Sequence, residues 1–260
     1  MAQDDTFGTN ATFREGGTGI EPLASQVISV LCERQTVTAA GVRQIALDYL
    51  GRALLSKSGF DPSCVLDELR GFRLTSDAIV DLYIPQAAIQ LGDQWMCSDV
   101  SFSDVTIGAL RLQSLLTEAS NGLVWAGQAP SDALEALIVV PEGEQHFLGA
   151  SVLAAQLRRM ECDVSLAISE TADQIMTRVS LDKPDMLLMS CARIDALALV
   201  AKTVKQIKAA ADPVPVLAIG GPLRGNLEEI RKQTGVDLVT SVATEVVGFC
   251  AKRKRALGLQ

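Results

Sequence analysis

The chain has 260 residues, 48 % of them hydrophobic, and a net charge of −8. That size allows one large or two small domains with a sizeable core. The acidic balance argues against broad, sequence-independent binding to nucleic acid, and no apolar run is long enough to span a bilayer.

Residues 1 to about 20 are rich in Asp, Thr, Gly and Asn, lack apolar periodicity and read as a disordered segment. The opening Met1-Ala2-Gln3-Asp4-Asp5 is no signal peptide. Six scattered cysteines (Cys32, Cys64, Cys97, Cys162, Cys191, Cys250) form no Cys-x-x-Cys and read as reduced, mostly core residues. Together these features predict a cytoplasmic protein. From Glu21 to about Ser120 the periodicity is helical throughout. Pro22 to Glu33 places Leu23, Val27, Val30 and Leu31 on one face. Thr38 to Ser56 follows, with Thr38 as a candidate cap. Asp61-Pro62 opens a short helix through Leu69, with Pro62 in its first turn. Thr75 or Ser76 caps a helix to about Met96, which Pro85 should kink. Ser101 to Ser120 closes the set, its apolar residues including Phe102, Val105, Ile107, Leu110, Leu112 and Leu115-Leu116. Helices of this number and length predict a bundle over 21–121.

Residues 122–132, with Gly, Pro and Ser, read as a linker. Over 133–260 the pattern changes to alternating short strands and helices. Strands are expected near 135–140, 163–168, 185–190, 214–219 and 236–240, and helices near 149–161, 172–182, 194–210, 225–234 and 243–255. Five βα units without hairpin signals predict a doubly wound, five-stranded parallel sheet, so the fold class is α/β behind an N-terminal helical bundle. The basic cluster Lys252-Arg253-Lys254-Arg255 is expected to neutralise the end of the last helix and then meet solvent. Gly220-Gly221-Pro222-Leu223-Arg224-Gly225 lacks the Gly-x-Gly-x-x-Gly spacing and follows the fourth strand, which argues against a dinucleotide loop.

The chain has one histidine, His146. It lies on the loop between the apolar run Leu134–Val140 and the amphipathic run from Gly149, at the carboxyl edge of the expected sheet, where open α/β folds bind ligands. Glu144 is close enough to hold one ring nitrogen and leave the other free for a metal. Read alone, Glu-x-His is equally a surface loop without a task. Two further signals stand at the ends of later strands. Ser190 follows Gly149 by 41 positions, and Gly220-Gly221 follows Ser190 by 30.

Glu144-x-His146-x-x-Gly149, then Ser190, then Gly220-Gly221, resembles the cobalamin-binding domain with its Asp-x-His-x-x-Gly, Ser-x-Leu and Gly-Gly signatures. Glu144 stands where Asp is usual, and Ala192 where Leu is usual. The resemblance implies a flavodoxin-like or Rossmann-like sheet in which His146 ligates cobalt as the sole metal ligand. It gives Glu144 the supporting hydrogen bond, lets backbone approach the corrin at Gly149, turns Ser190 to the buried tail and has Gly220 and Gly221 clear the tail's path.

The helical half has its own resemblance. Leu91-Gly92-Asp93-Gln94-Trp95, then a short polar turn and a long helix, is similar to the bundle that caps the upper face of cobalamin in photoreceptor and corrinoid proteins. Trp95 would pack over the upper ligand; otherwise it fills the bundle core. Related photoreceptors carry a Glu-His pair where this chain has Val105-Thr106. With one histidine, bis-histidine ligation within the chain is excluded, leaving water, hydroxide or an organic group above cobalt. Bundle and cobalamin domain without a preceding helix-turn-helix or MerR-type reader look most like the AerR/PpaA antirepressors of photosynthetic bacteria. The resemblance covers roughly residues 20–255. It implies a light-responsive, non-enzymatic regulator of transcription that acts on a PpsR/CrtJ-type repressor of photosynthesis genes and does not itself read DNA. A corrinoid methyl carrier and a haem-binding sensor on the same scaffold are the alternatives.

Overall fold

The structure, a computed structural model, describes residues 41–121, 132–144, 147–191, 193, 196–221 and 226–258. The N-terminal segment to residue 20, the helix expected over 22–33, Cys32, the cap Thr38, the linker over 122–131, and His146 and Ala192 lie outside the described residues. Ala46 to Gln260 form one compact unit.

Helix α1 runs Gln44–Leu55 and buries Ala46, Leu47, Leu50 and Leu54, a stripe at helical spacing. It begins later than the pattern predicts. Gly41 lies at φ +78°, a left-handed conformation that no helix passes through. Helix α2, Pro62–Gly71, starts as expected: the Asp61 side chain accepts from the Ser63 N–H, and Pro62 occupies the first turn, where a missing N–H costs nothing. Thr75 caps α3, Ser76–Ala78, by accepting from the Ala78 N–H. A π turn over Ile79–Tyr83 follows and leads into α4, Ile84–Met96. The turn explains how Pro85 is accommodated. In a regular helix residue 85 donates to the carbonyl of residue 81, and proline has no such donor. Here the Ile84 N–H reaches back five residues to the Ile79 carbonyl, and the register shifts just ahead of the proline. Helix α5, Phe102–Asn121, opens on a reciprocal cap in which the Ser101 N–H donates to Asp104 Oδ2 (3.1 Å) and the Asp104 N–H to Ser101 Oγ (3.2 Å). Its buried stripe is Gly108, Leu112, Leu115, Leu116 and Ala119, packed against α2 and α4. Phe102, Ile107 and Leu110, also apolar residues of this helix, are exposed.

The second half is a five-stranded parallel sheet in the order β2-β1-β3-β4-β5. Its elements are β1 Glu135–Pro141, α6 Leu148–Arg159, β2 Asp163–Glu170, α7 Ala172–Asp182, β3 Met186–Ser190, α8 Leu197–Ala210, β4 Val216–Gly220, α9 Leu227–Thr234, β5 Leu238–Val239 and α10 Ala243–Ala256. Strand β1 is buried on both faces, hence its unbroken apolar run. Ala136, Ile138 and Val140 face α6 and α10; Leu137 and Val139 face α7, α8 and α9. Helix α7 carries a full capping box between Thr171 and Gln174.

Strand β4 starts two residues later than predicted, directly after Pro215, which has no N–H for the ladder, and Arg253 takes the carbonyls ahead of it. Its guanidinium donates to Val214 O (3.0 Å) and Pro215 O (3.4 Å). Lys254 pairs with Asp185 at 3.0 Å, whose other oxygen accepts from the Glu135 N–H at 3.0 Å. The basic cluster therefore clasps α10 to the amino edge of the sheet, and two of its four cations do not simply meet solvent. Cys162, Cys191 and Cys250 are buried while Cys64 and Cys97 are exposed. Burial pushes the thiols of Cys162 and Cys250 up to about 11, so both stay protonated and inert near neutrality. No helix among the described residues is long and apolar enough to cross a membrane.

Candidate functional site

In the strand order β2-β1-β3-β4-β5 the connections reverse direction between β1 and β3. The crevice outside the carboxyl ends of those two strands is where such sheets bind ligands. The sequence signals meet there. Strand β1 ends at Pro141 and leads into the loop of Glu144; β3 ends at Ser190; β4 ends at Gly220. Ser190 and Gly220 are register partners, and Val139 pairs with Met189 one strand over. Segments 41 and 30 residues apart in sequence thus share one edge.

The loop after β1 turns back at once. Gly143 takes φ +81°, and the Glu144 N–H donates to the Pro141 carbonyl at 3.0 Å. This turn carries the Glu144 side chain inward, where it is 6 % exposed. A carboxylate is buried in a loop only where something compensates its charge, so Glu144 is not an idle surface residue. His146 lies outside the described residues. Phe147 caps α6, which begins one residue later.

The three glycines of the signatures have different reasons to be glycine. A Cβ on Gly149, in the first turn of α6, would meet nothing within 4 Å. No described part of the protein requires glycine there, although glycine weakens a helix. Gly149 is exposed, and the first turn of α6 presents open surface there. Gly220 and Gly221 are required by the backbone itself. A Cβ on Gly220 would stand 2.7 Å from the Thr240 carbonyl oxygen. Gly221, at φ +129°, would drive one directly into the Cys191 carbonyl. The expectation that this pair clears a path for a ligand is therefore incomplete, because close approach of β3, β4 and the segment after β5 already demands both glycines.

Trp95 does not fill the bundle core. It sits in the last turn of α4, is 50 % exposed, and its ring lies 6.3 Å from that of Phe102. Met96, Phe102 and Ile107 around it are exposed as well. The end of the α4–α5 hairpin is thus an apolar, aromatic surface open to solvent, the kind of patch that marks a binding face. From sequence Phe102 and Ile107 stood out only as apolar residues of their helix and Met96 only as the end of the one before, because nothing local says which apolar residues face solvent. Thr106, at the position of a possible upper ligand, donates to the Phe102 carbonyl at 2.9 Å, and Val105 beside it is half-buried. Among the described residues no group of three or more His, Cys, Asp or Glu side chains gathers as a metal site.

Comparison with known proteins agrees with this geometry. The family described as B12 binding domain matches residues 134–247. An uncharacterised 20.5 kDa protein from the bchF-crtJ intergenic region of Rhodobacter capsulatus is 32 % identical over 184 residues, covering 70 % of this chain and 95 % of that protein. Among solved structures, the Methanosarcina barkeri monomethylamine corrinoid protein is similar in fold, with a TM-score of 0.64 at 11 % identity over 80 % of this chain and 96 % of that one.

Proposed function

Because the chain belongs to one family with the 20.5 kDa Rhodobacter capsulatus protein and carries a B12 binding domain, we propose that it is a cobalamin-dependent regulator of transcription that acts on a repressor protein. The observation that carries the reading is the meeting of the buried Glu144, Ser190 and Gly220 at the carboxyl edge beside the switch point of the sheet, within the matched domain. Gly149, the second residue of the helix that follows, leaves a surface gap there against which a corrin edge could rest.

The residues fit that group. His146 would hold the metal through one imidazole nitrogen, and the buried Glu144 would accept from the other and fix its tautomer. Ser190 and Gly220, paired at the edge, would lie along the cofactor's tail. Trp95 and Phe102 would offer it an aromatic surface. Cobalt supplies a ligand-exchange centre, light-sensitive when it carries an organic group. Haem is disfavoured by the matched domain, and an absorption spectrum distinguishes the two. Gly149→Ala tests the gap directly. It should stabilise the unloaded protein by about 0.5 kcal/mol and weaken hydroxocobalamin binding; unchanged affinity in a titration would remove the gap as an argument.

The partner follows from two supports. The resemblance is to antirepressors of a PpsR/CrtJ-type repressor, and the Rhodobacter capsulatus relative is named for its place between bchF and crtJ. This reading gives the chain no reaction of its own. Cobalamin-loaded protein should weaken the binding of a PpsR/CrtJ-type repressor to its operator by roughly tenfold, a coupling of ordinary size. Fluorescence anisotropy with adenosyl- and hydroxo-forms, dark and light, measures it. If loaded protein leaves the repressor unchanged in every state but passes a methyl group from methylcobalamin to an acceptor, the chain is a corrinoid carrier, like the Methanosarcina barkeri protein it resembles in fold.

A further inference from the structure

Among the described residues the ion pairs that join the helical half to the sheet half all converge on Arg159. Its Nη2 lies 2.5 Å from both carboxylate oxygens of Asp81, and its Nε lies 3.5 Å from Asp77 Oδ1. Gln156, one turn earlier on the same face of α6, donates to Asp81 Oδ1 at 3.1 Å. The Arg159 side chain is 17 % exposed, and its Nη1 is enclosed without a partner. The guanidinium is therefore held in place and cannot trade Asp81 for water at little cost.

The two partners sit at telling places. Arg159 is the last residue of α6, whose first residue, Leu148, follows the loop at the carboxyl edge. That helix is about 18 Å long. Asp81 is the central residue of the π turn, and the chain runs on through α4 to Trp95, about 20 Å away. Helix α5 also packs against α6, but the directional, charged contact is at the π turn. Two stiff rods are clamped at one end; the other end of α6 follows the loop at the carboxyl edge, and the other end of α4 carries the exposed Trp95.

We propose that Arg159 and Asp81 are a positioning pair that sets where the Trp95 end of the cap stands over the carboxyl edge, and so how tightly the site closes on a corrinoid. Neither residue touches the ligand; Arg159 acts through Trp95. The proposal rests on the cobalamin reading above.

The test is a double-mutant cycle read by hydroxocobalamin titration, with circular dichroism as the check on folding. Arg159→Ala and Trp95→Ala should each weaken binding about tenfold, the size of one lost charged contact. The double variant should be little worse than Trp95→Ala alone, because Arg159 then has nothing left to position. The cobalt absorption band should not move in Arg159→Ala, since ligation itself is untouched. Asp81→Asn keeps the shape of the clamp without its charge; should Arg159→Ala unfold, it carries the same cycle. An additive loss of about a hundredfold in the double variant, or wild-type affinity in both Arg159→Ala and Asp81→Asn, would overturn the proposal. Failure of the wild-type protein to bind hydroxocobalamin would instead overturn the cobalamin reading, and this pair with it.

Discussion

His146→Ala should leave a folded protein that no longer shows a histidine-ligated corrinoid. With one histidine in the chain, no other imidazole can replace it. The loop after β1, in which it falls by sequence, opens at the switch point of the sheet. Free cobalamin carries its own lower base, so a protein without the imidazole has no means to displace it. Losing a partner that only supports a metal ligand weakens affinity roughly 10–100-fold, and loss of the ligand itself should exceed that. A titration of hydroxocobalamin followed by absorption spectroscopy measures both effects. The variant should bind weakly with the spectrum of the free, tail-on cofactor. A histidine-type spectrum of undiminished strength would mean that cobalt, if bound at all, is held by another group.

Gly221→Ala should be the most destabilising single-methyl change at the site, and it should act without any cofactor. Two costs coincide. Residue 221 sits at φ +129°, a conformation that side-chain-bearing residues avoid, and its new Cβ points into the Cys191 carbonyl. That carbonyl cannot move freely, because Cys191 is bonded through its N–H to Gly220 O at 2.9 Å in the β3–β4 ladder. Backbone strain of about 1–3 kcal/mol and overpacking of about 1–3 kcal/mol sum to roughly 4 kcal/mol. For a unit of this size that lowers Tm by about 10 °C. Differential scanning calorimetry on the unloaded protein decides it. The contrast with Gly149→Ala, expected to raise Tm slightly, separates a glycine kept for the fold from one kept for a ligand. An unchanged Tm in Gly221→Ala would show that the β3 and β4 ends are looser than their hydrogen bonds suggest.

That contrast marks how far the sequence could be read. The order of strands and helices was legible because each element announces itself locally. The Leu134–Val140 run is a strand buried on both faces, and helix α7 spans the predicted 172–182. That Ser190 and Gly220 share the carboxyl edge was legible because spacing and topology together place them side by side. What escaped was decided by tertiary contacts. The π turn adds one residue to a helix whose apolar pattern hardly changes, so Pro85 suggested only a kink. Phe102 and Ile107 sit at helical spacing with core residues, and only the packing of α5 shows that the buried face passes through Gly108 instead. Strand β5 shrinks to Leu238–Val239, while Asp237 ahead of it turns its carboxylate to the Leu217 N–H at 2.8 Å. Gly149 and Gly221 look alike as letters, and only their surroundings separate them.

The clasp of α10 also sets an order of events during synthesis. Helices α6 and α10 share one face of the sheet, and Ala243, Val246 and Cys250 complete the apolar layer that Ala150, Ala154 and Leu157 begin. Lys254 then reaches Asp185, which also holds the first residue of β1. On a ribosome, the strand leading to the Glu144 loop emerges more than a hundred residues before the helix that completes this layer. Until α10 is made, the part of that face of the sheet not covered by α6 stays wet, and the nascent chain has no finished fold to offer. Cofactor capture is thereby postponed to the completed polypeptide, and a chain that stalls before residue 243 should release from the ribosome empty and sticky.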